Sequence, residues 1–306
     1  MKIRTVCGDI DPNDLGITDA HNHIYINLPE WVRKKDADFA LDNYETSIEE
    51  MKLFKQAGGH SFVDCTAIDY GRDITMLQKI SKETGVNIIA ISGFKEDPFF
   101  KVWLGDRQFD DKKFEDLLVK EIIDGVDDTK IQCGVLKAST SYNRITAYEE
   151  KILHLVAKAQ KRTGAPIVTH CTTGTMGIEQ LEVFKSEGVD LSRVSIGHGD
   201  LNPDAWIAKT ICSMGAFVCY DNAGKAKYHP DSQRIEVLKE LCDAGYKDHI
   251  LLGMDIGRQT DCHYKSGGLG HGWLLTNYIP RMKSEGFTNE LIDKFLITNP
   301  KRWMAF

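Results

Sequence analysis

The sequence predicts an α/β fold, a (β/α)8 TIM barrel with a binuclear metal centre at the C-terminal ends of its strands. Three observations lead to this expectation: short β-branched runs alternate with longer amphipathic runs, the unit occurs eight times, and residues able to bind metal follow the short runs. The chain has 306 residues, and a barrel typically needs about 250. We therefore expect one domain, a metal-dependent hydrolase barrel spanning 1–306.

Eight apolar runs are the predicted strands. They cover 16–26, 60–67, 86–94, 133–140, 166–171, 194–199, 216–224 and 249–257. Apolar residues recur at helical spacing between them, most clearly in 47–59 and 147–166, and both of these segments end in glycine or proline. An open, doubly wound sheet is the alternative, but no glycine-rich phosphate-binding motif follows the first strand.

Composition excludes several classes of protein. The formal charge is −7, from 38 basic and 45 acidic residues, and no run of Lys and Arg could follow a nucleic-acid backbone. No segment approaches the roughly 18 apolar residues that a membrane span needs. The eight cysteines include no CxxC pair, which favours reduced thiols, and the N-terminus lacks a signal-peptide pattern. We expect a cytoplasmic protein without nucleic-acid or membrane partners, and a homo-oligomer remains possible.

Residues able to bind metal lie at the ends of five predicted strands. They are His21 and His23 on the first strand, Lys137 on the fourth, His170 on the fifth, His198 on the sixth and Asp255 on the eighth. The C-terminal strand ends of a barrel form one mouth, so these side chains should converge there. A single histidine would more often be a core residue, but four of them with an aspartate favour a metal site for zinc, or for manganese or cobalt.

Lys137 needs a separate explanation, because a buried ammonium beside two dications is unfavourable. It could form a salt bridge, or it could act as a base with a lowered pKa. Alternatively, its neutral amine captures carbon dioxide as a carbamate. That anion could bridge two metals roughly 3.5–4 Å apart, which removes the conflict of charge.

The motifs HNH, VLKAST, THCTTGTMGIEQL, IGHGDLNPD and GMDIGR resemble those of the phosphotriesterase-like family of the amidohydrolase superfamily. The resemblance extends from Gly16 to the C-terminus. It implies that His21, His23 and Asp255 bind a more buried ion and that His170 and His198 bind a more exposed one. Carboxylated Lys137 and a hydroxide would bridge the two. The family includes lactonases, organophosphate triesterases and proteins of unknown activity.

Catalysis would then begin with attack by the bridging hydroxide, while the exposed ion polarises the scissile bond. Asp255 is placed to accept the proton of the hydroxide and to pass it to the leaving oxygen. The alternative is that Asp255 serves only as a metal ligand. We therefore interpret Asp255 and Lys137 as the catalytic pair.

Substrate contacts are expected from the loops at the mouth. The candidates are Asp69 and Tyr70 after the second strand, Lys225, Lys227 and Tyr228 after the seventh, and Arg258, Asp261 and Tyr264 after the eighth. Lys225 and Arg258 together could bind an anion. The alternative is that they are solvated loop charges.

The segments around Lys225 and Arg258 also resemble those of family members that hydrolyse phosphorylated five-membered sugar lactones. In those enzymes a lysine and an arginine at these places bind the phosphate and a tyrosine assists. This chain has Asp261 at the assisting position, with Tyr264 close by. Asp69 would bind a sugar hydroxyl.

The resulting hypothesis is a metal-dependent hydrolase that opens a phosphorylated aldono-1,4-lactone. One alternative is a lactonase or esterase for unphosphorylated substrates with weak phosphotriesterase activity. Another is a metal-bearing binding barrel without catalysis.

Overall fold

The computed structural model describes all 306 residues and contains a barrel of eight parallel strands. A short antiparallel hairpin, formed by β1 (Ile3–Thr5) and β2 (Gly8–Ile10), precedes the barrel. The barrel strands are β3 (Thr18–Asn22), β4 (Ser61–Asp64), β5 (Asn87–Gly93), β6 (Val135–Thr140), β7 (Ile167–Cys171), β8 (Val194–Ile196), β9 (Phe217–Tyr220) and β10 (Ile250–Leu252). All eight predicted strands are present, and the TIM-barrel prediction is confirmed.

The barrel strands pair in chain order from β3 to β10, so each neighbour in sequence is a neighbour in space. The two end strands are joined just beyond β10, where the backbone N–H of Asp255 donates to the carbonyl of His21 at 3.0 Å. This hydrogen bond connects two of the predicted metal ligands, although 234 residues separate them along the chain.

Helices surround the barrel. They are α1 (Glu30–Arg33), α2 (Tyr44–Gln56), α3 (Ile74–Thr84), α4 (Asp97–Leu104), α5 (Asp111–Ile123), α6 (Ala147–Thr163), α7 (Gly177–Ser186), α8 (Ala205–Ser213), α9 (Asp231–Asp243), α10 (Ile279–Ser284), α11 (Asn289–Asp293) and α12 (Asn299–Met304). The helical spacing predicted in 47–59 and 147–166 is confirmed by α2 and α6, whose apolar residues Ile48, Met51 and Phe54, and Ile152, Leu155, Val156 and Ala159, are buried. No helix has the length and apolar character needed to cross a membrane.

The segment between β5 and α5 forms the helix α4 rather than an irregular loop. Phe100 and Leu104 bury one face of this helix, and the ring of Phe100 lies 5.0 Å from that of Phe94. The aromatic packing holds α4 at the mouth of the barrel, where residues 94–96 connect it to β5.

Candidate metal centre at the barrel mouth

A cavity of about 280 Å³ opens at the C-terminal ends of the strands and is lined by 17 residues. The lining includes His23, Lys137, His170, His198 and Asp255, which are five of the six predicted ligands. The sixth, His21, is fully buried, and its ring centroid lies 4.7 Å from that of His198. The structure therefore brings the whole predicted set together.

The deeper group consists of His21, His23 and Asp255, each of which offers one ligand atom within 4.8 Å of the others. His23 Nδ1 lies 2.8 Å from the hydroxyl of Thr66, and its other nitrogen, Nε2, lies 3.4 Å from Asp255 Oδ1. His21 Nε2 is buried without a hydrogen-bond partner. A buried imidazole nitrogen without a partner is unfavourable unless another group, such as a metal ion, accepts its lone pair.

The outer pair is formed by His170 and His198, whose Nδ1 and Nε2 atoms face each other at 2.7 Å. The Thr172 hydroxyl donates to the carbonyl of Thr140, so it can only accept a hydrogen bond from His170 Nε2, which lies 3.2 Å away. The carboxylate of Asp221 lies 2.9 Å from His198 Nδ1. With these outer nitrogens protonated, two lone pairs point at each other, and a proton or a cation is needed between them.

Asp221, which follows β9, was not among the predicted residues. Its carboxylate accepts the backbone N–H of His198 at 3.0 Å and lies 3.1 Å from His21 Nδ1. It therefore orients one imidazole of the deeper group and one of the outer pair, as carboxylates behind metal-binding histidines commonly do. The other residues were selected because they lie at the ends of predicted strands. Asp221 could have been selected in the same way, because it directly follows the apolar residues of the predicted strand 216–224.

Burial lowers the pKa of two of these imidazoles and of the lysine amine. It lowers the pKa of His21 to about 4 and the pKa of His170 well below its usual range, so both imidazoles are neutral near pH 7. Burial also lowers the pKa of Lys137, whose amine donates to the carbonyl of Cys65 at 2.6 Å. Neutral imidazoles bind metals, and a neutral amine is the form that reacts with carbon dioxide. The residues present thus fit a metal centre.

Two of these residues have left-handed backbone conformations without being glycine. His198 has φ 60° and Asp255 has φ 45°. Such conformations cost on the order of 1–3 kcal/mol and are found preferentially at functional sites. Two hydrogen bonds hold Asp255 in this conformation. Its own N–H donates to the carbonyl of His21, and the N–H of the next residue, Ile256, donates to the side chain of Asn22 at 2.8 Å.

Lys225 lies behind Asp255 rather than in the cavity. Its amine donates to the main-chain oxygen of Asp255 and lies 3.8 Å from Oδ2 of the same residue and 4.0 Å from Asp261. Burial alone would raise the pKa of Asp255, but the ammonium of Lys225 and the imidazoles of His198 and His23 hold it well below its usual range. Lys225 therefore keeps Asp255 ionised.

The predicted substrate contacts divide into two groups. Tyr70 and Tyr228 line the cavity, whereas Asp69, Lys225, Lys227, Arg258, Asp261 and Tyr264 do not. Arg258 pairs with Asp36 at 2.8 Å and with Asp38 at 3.2 Å. The hydroxyl of Tyr264 donates to Glu45 at 2.9 Å, and this tyrosine lines a different pocket. The expected phosphate clamp of Lys225 and Arg258 is thus not open to the cavity, because each residue is engaged by nearby carboxylates.

Asp69 also has a different position from the one expected. It is 2% exposed and accepts the backbone N–H of Lys95 at 2.9 Å. Lys95 and its neighbour Glu96, neither of which was predicted, line the cavity in its place. They directly follow the third predicted strand, so their position at a strand end could have identified them as mouth residues from the sequence.

The barrel and the histidines, lysine and aspartate at its mouth define a metal-dependent barrel hydrolase. The sequence model of the Phosphotriesterase family matches residues 1–304, and the chain belongs to that family. The predicted family is confirmed. The relatives described below are lactonases and other hydrolases, and the protein is an ester-bond hydrolase of this family.

Three relatives illustrate the range of the family. The phosphotriesterase homology protein of Escherichia coli (strain K12) is 36% identical over 94% of this chain and 97% of its own length. The phospho-furanose lactonase of Mycoplasmopsis synoviae (strain 53) is 33% identical over 99% of this chain and 91% of its own. The N-acetyltaurine hydrolase of Danio rerio is 30% identical over 100% of this chain and 98% of its own length.

Solved structures agree with the fold. A lactonase from Listeria monocytogenes superposes with a TM-score of 0.95 at 35% identity, covering 100% of this chain and 99% of that one. The E. coli phosphotriesterase homology protein, complexed with phosphate in its active site, superposes with a TM-score of 0.90 at 34% identity, covering 95% and 99%.

Proposed function

We propose that the protein opens a phosphorylated sugar lactone, an aldono-1,4-lactone, at a binuclear metal centre in the barrel mouth. The observation that carries this proposal is the convergence of five predicted ligands on one cavity, His23, Lys137, His170, His198 and Asp255, with the sixth, His21, buried against His198. The relatives support the choice of substrate, because one is named a phospho-furanose lactonase and another holds phosphate in its active site.

In this proposal His21, His23 and Asp255 would hold one divalent ion, and His170 and His198 would hold the other. Lys137, once carboxylated by carbon dioxide, would supply a further anionic oxygen donor to the centre. Zinc suits this donor set best, and manganese or cobalt could replace it. When bound, the ions lower the pKa of water and polarise the scissile carbonyl.

The chain's own residues orient the reaction. Asp221 fixes the imidazoles of His21 and His198, so that their Nε2 atoms are directed into the centre. Asp255 is kept ionised by Lys225, so that it can accept a proton and deliver it to the leaving oxygen. Tyr70 and Tyr228 are placed to contact the sugar from the wall of the cavity.

The size of the cavity favours a small substrate. Its volume of about 280 Å³ is close to the lower end of the range for ligand pockets, which starts near 300 Å³. A sugar lactone bearing one phosphate is of the size that such a pocket accommodates, whereas a long-chain lactone would extend into solvent.

A second candidate is hydrolysis of a small N-acyl amino sulfonate. The N-acetyltaurine hydrolase relative aligns along the full chain, and its named substrate also places an anionic group on the leaving side of the scissile bond. The two candidates share a small substrate with a terminal oxyanion and differ in the bond that is broken.

A hydrolysis assay on metal-reconstituted protein prepared with bicarbonate tests the proposal. The panel contains phosphorylated and unphosphorylated sugar lactones, an N-acyl amino sulfonate, an aryl ester and a phosphotriester. Proton release followed with a pH indicator reports on the esters, and amine release reports on the amide. We expect the phosphorylated lactone to give the highest kcat/KM. A preference for any other compound would refute this substrate.

A further inference from the structure

Lys95 is the cationic side chain that the cavity offers to a substrate. Among the 17 lining residues the only lysines are Lys95 and Lys137, and no arginine is present. Lys137 belongs to the candidate metal centre. Lys225 and Arg258, which were expected to bind an anion, lie outside the lining and are engaged by carboxylates.

The ammonium of Lys95 is held between a carboxylate and two aromatic rings. Its Nζ lies 3.0 Å from Glu96 Oε2, 5.1 Å from the ring centroid of Tyr70 and 5.0 Å from that of Phe99. The side chain is only 16% exposed. Rings at this distance attract a cation through their faces without neutralising its charge, so Glu96 is the partner that balances it.

The backbone of Lys95 is fixed as firmly as its side chain. Its N–H donates to Asp69 Oδ1 at 2.9 Å, and Asp69 is buried beneath it. Glu96 begins the turn into α4, which the packing of Phe100 anchors. The ammonium is therefore presented to the cavity from a rigid position, which reduces the entropy lost when it binds a ligand.

Glu96 lies between Lys95 and the candidate metal centre. The Glu96 atom that accepts from Lys95, Oε2, is 3.7 Å from His170 Nε2, and the Glu96 side chain is 17% exposed. An oxyanion entering the cavity can take this partly solvated position and replace Glu96 as the partner of Lys95. A phosphate group carries more charge and more acceptor oxygens than a carboxylate, so the exchange favours the ligand.

We propose that Lys95 is a specificity-determining residue that binds the terminal oxyanion of the substrate, a phosphate ester or a sulfonate, and that Glu96 occupies its place when no substrate is bound. This inference rests on the proposed hydrolysis of an anionic substrate at the same cavity. It assigns recognition of the anion to the end of β5 rather than to the loops after β9 and β10.

The test uses Lys95→Met and Lys95→Arg in the metal-reconstituted protein, with Lys101→Met as the matched control. Lys101 lies in α4 close to Lys95 in sequence, but its side chain is 56% exposed and pairs with Asp97. Binding of inorganic phosphate and of inorganic sulfate is measured by calorimetry, and kcat and KM are measured on the phosphorylated lactone and its unphosphorylated counterpart. Metal content and Tm identify any variant that is misfolded.

We expect Lys95→Met to weaken phosphate binding and to raise KM for the phosphorylated lactone by about tenfold or more, which is the effect of losing one charge-assisted hydrogen bond. The ratio of kcat/KM on the phosphorylated lactone to that on the unphosphorylated lactone should fall by about the same factor, Lys95→Arg should recover much of the binding, and Glu96→Gln should tighten it. Tighter binding of phosphate than of sulfate indicates a phosphate ester, and the reverse indicates a sulfonate. Lys101→Met should match the wild type.

Equal phosphate affinity in the wild type and Lys95→Met, or no phosphate binding at all, would overturn the inference. The readouts also separate it from the proposed function. If the wild type opens no phosphorylated lactone and yet loses phosphate binding on Lys95→Met, the proposed substrate is wrong and the role of Lys95 stands.

Discussion

Asp221 orients two histidines with one carboxylate. Burial alone would raise its pKa, but the imidazoles of His198 and His21 lower it well below the usual range, so the carboxylate stays ionised. We predict that Asp221→Asn weakens metal binding by about 10–100-fold, because the amide no longer fixes both Nδ1 atoms as donors. Competition with a chromogenic chelator measures the affinity.

Asp204→Asn is the matched control for this substitution. Asp204 follows the sixth barrel strand, one strand before the one that Asp221 follows, and its carboxylate only caps α8, where it accepts the N–H of Trp206 at 2.8 Å. Its substitution should leave metal affinity unchanged. Equal metal affinities for Asp221→Asn and the wild type would show that the carboxylate does not orient the ligands.

Lys225 allows a second prediction at the scale of single residues. Removal of its ammonium in Lys225→Met should raise the pKa of Asp255, because Lys225 makes the largest favourable contribution to the ionised carboxylate. The acid limb of the kcat/KM profile should therefore move to higher pH, and kcat/KM at neutral pH should fall by about tenfold.

Lys227→Met controls for the loss of one positive charge from the same loop, since Lys227 is exposed and only two residues away. Its pH–rate profile should overlay that of the wild type. An unshifted acid limb in Lys225→Met would contradict the role given to Lys225.

The sequence predicted the candidate ligands better than the substrate contacts, for a physical reason. An inward-facing residue at a strand end lies at the mouth because of the strand itself, so His170 and Lys137 could be placed from the sequence. The direction of a loop side chain depends on distant partners. Arg258 is held by Asp36 and Asp38, more than 200 residues away in sequence, and no local pattern could reveal this.

At the scale of elements, Glu50 ties α2 to the loop after β10. Its carboxylate accepts from the backbone N–H of Tyr264 at 2.6 Å and from Nδ1 of His271 at 2.8 Å. The other nitrogen of His271 donates to the carbonyl of His23 at 2.8 Å. One buried network therefore links a surface helix to a strand that carries two candidate ligands.

This network predicts an acid-sensitive stability. Burial alone would raise the pKa of Glu50, but hydrogen bonds from His271 and the backbone lower it to about 2 from 4.5. A depressed carboxyl pKa contributes stability that is fully present above pH 4.5 and is lost as the pH falls towards 2. Glu50→Gln should reduce the free energy of unfolding at pH 7 by about 1–3 kcal/mol and flatten its decline between these two values.

Denaturant unfolding at pH 7, 5 and 3.5 measures the effect, with Glu49→Gln as the control. Glu49 is the preceding residue of α2 and pairs on the surface with Lys52. If both variants lose stability with acid as steeply as the wild type, the network does not contribute to the acid limb.

Two elements were missed or described differently by the sequence analysis. The hairpin of β1 and β2 has three residues in each strand, too few to show an alternating pattern. The segment after the third barrel strand was given no structure from the sequence, and the packing of Phe94, Phe100 and Phe114 anchors it as helix α4. That packing depends on contacts between elements, which periodicity does not describe.

At the scale of the whole molecule, the barrel assembles ligands that no single segment contains. Ions that bind only the folded chain stabilise it by mass action, by about 4 kcal/mol at a metal concentration 1,000 times Kd. We predict that stripping the metal with a chelator lowers Tm by several degrees and that zinc with bicarbonate restores it. Thermal unfolding followed by circular dichroism measures the shift.

His170→Ala should lose part of this shift, whereas His60→Ala should keep all of it. His60 is exposed and precedes β4 at the opposite end of the barrel from the mouth. A Tm that does not respond to metal in the wild type would mean that the cluster does not bind ions tightly.

The barrel itself was predictable because its evidence is repeated. Each β/α unit is weak evidence for a fold by itself, but eight units in succession leave few alternatives to a barrel. The parallel pairing of strands in chain order follows from that repetition. The cavity was not predictable to the same extent, since its lining depends on which side chains the loops and α4 leave open.

Metal stoichiometry tests the central claim most directly. Wild-type protein and Lys137→Met are reconstituted with zinc and bicarbonate, freed of unbound ions and measured by inductively coupled plasma mass spectrometry. We predict two zinc ions per wild-type chain and fewer than two in the variant, because in the proposed centre a carboxylated Lys137 would join the two sites. One ion or none in the wild type, or two ions in both proteins, would contradict the binuclear centre bridged by Lys137.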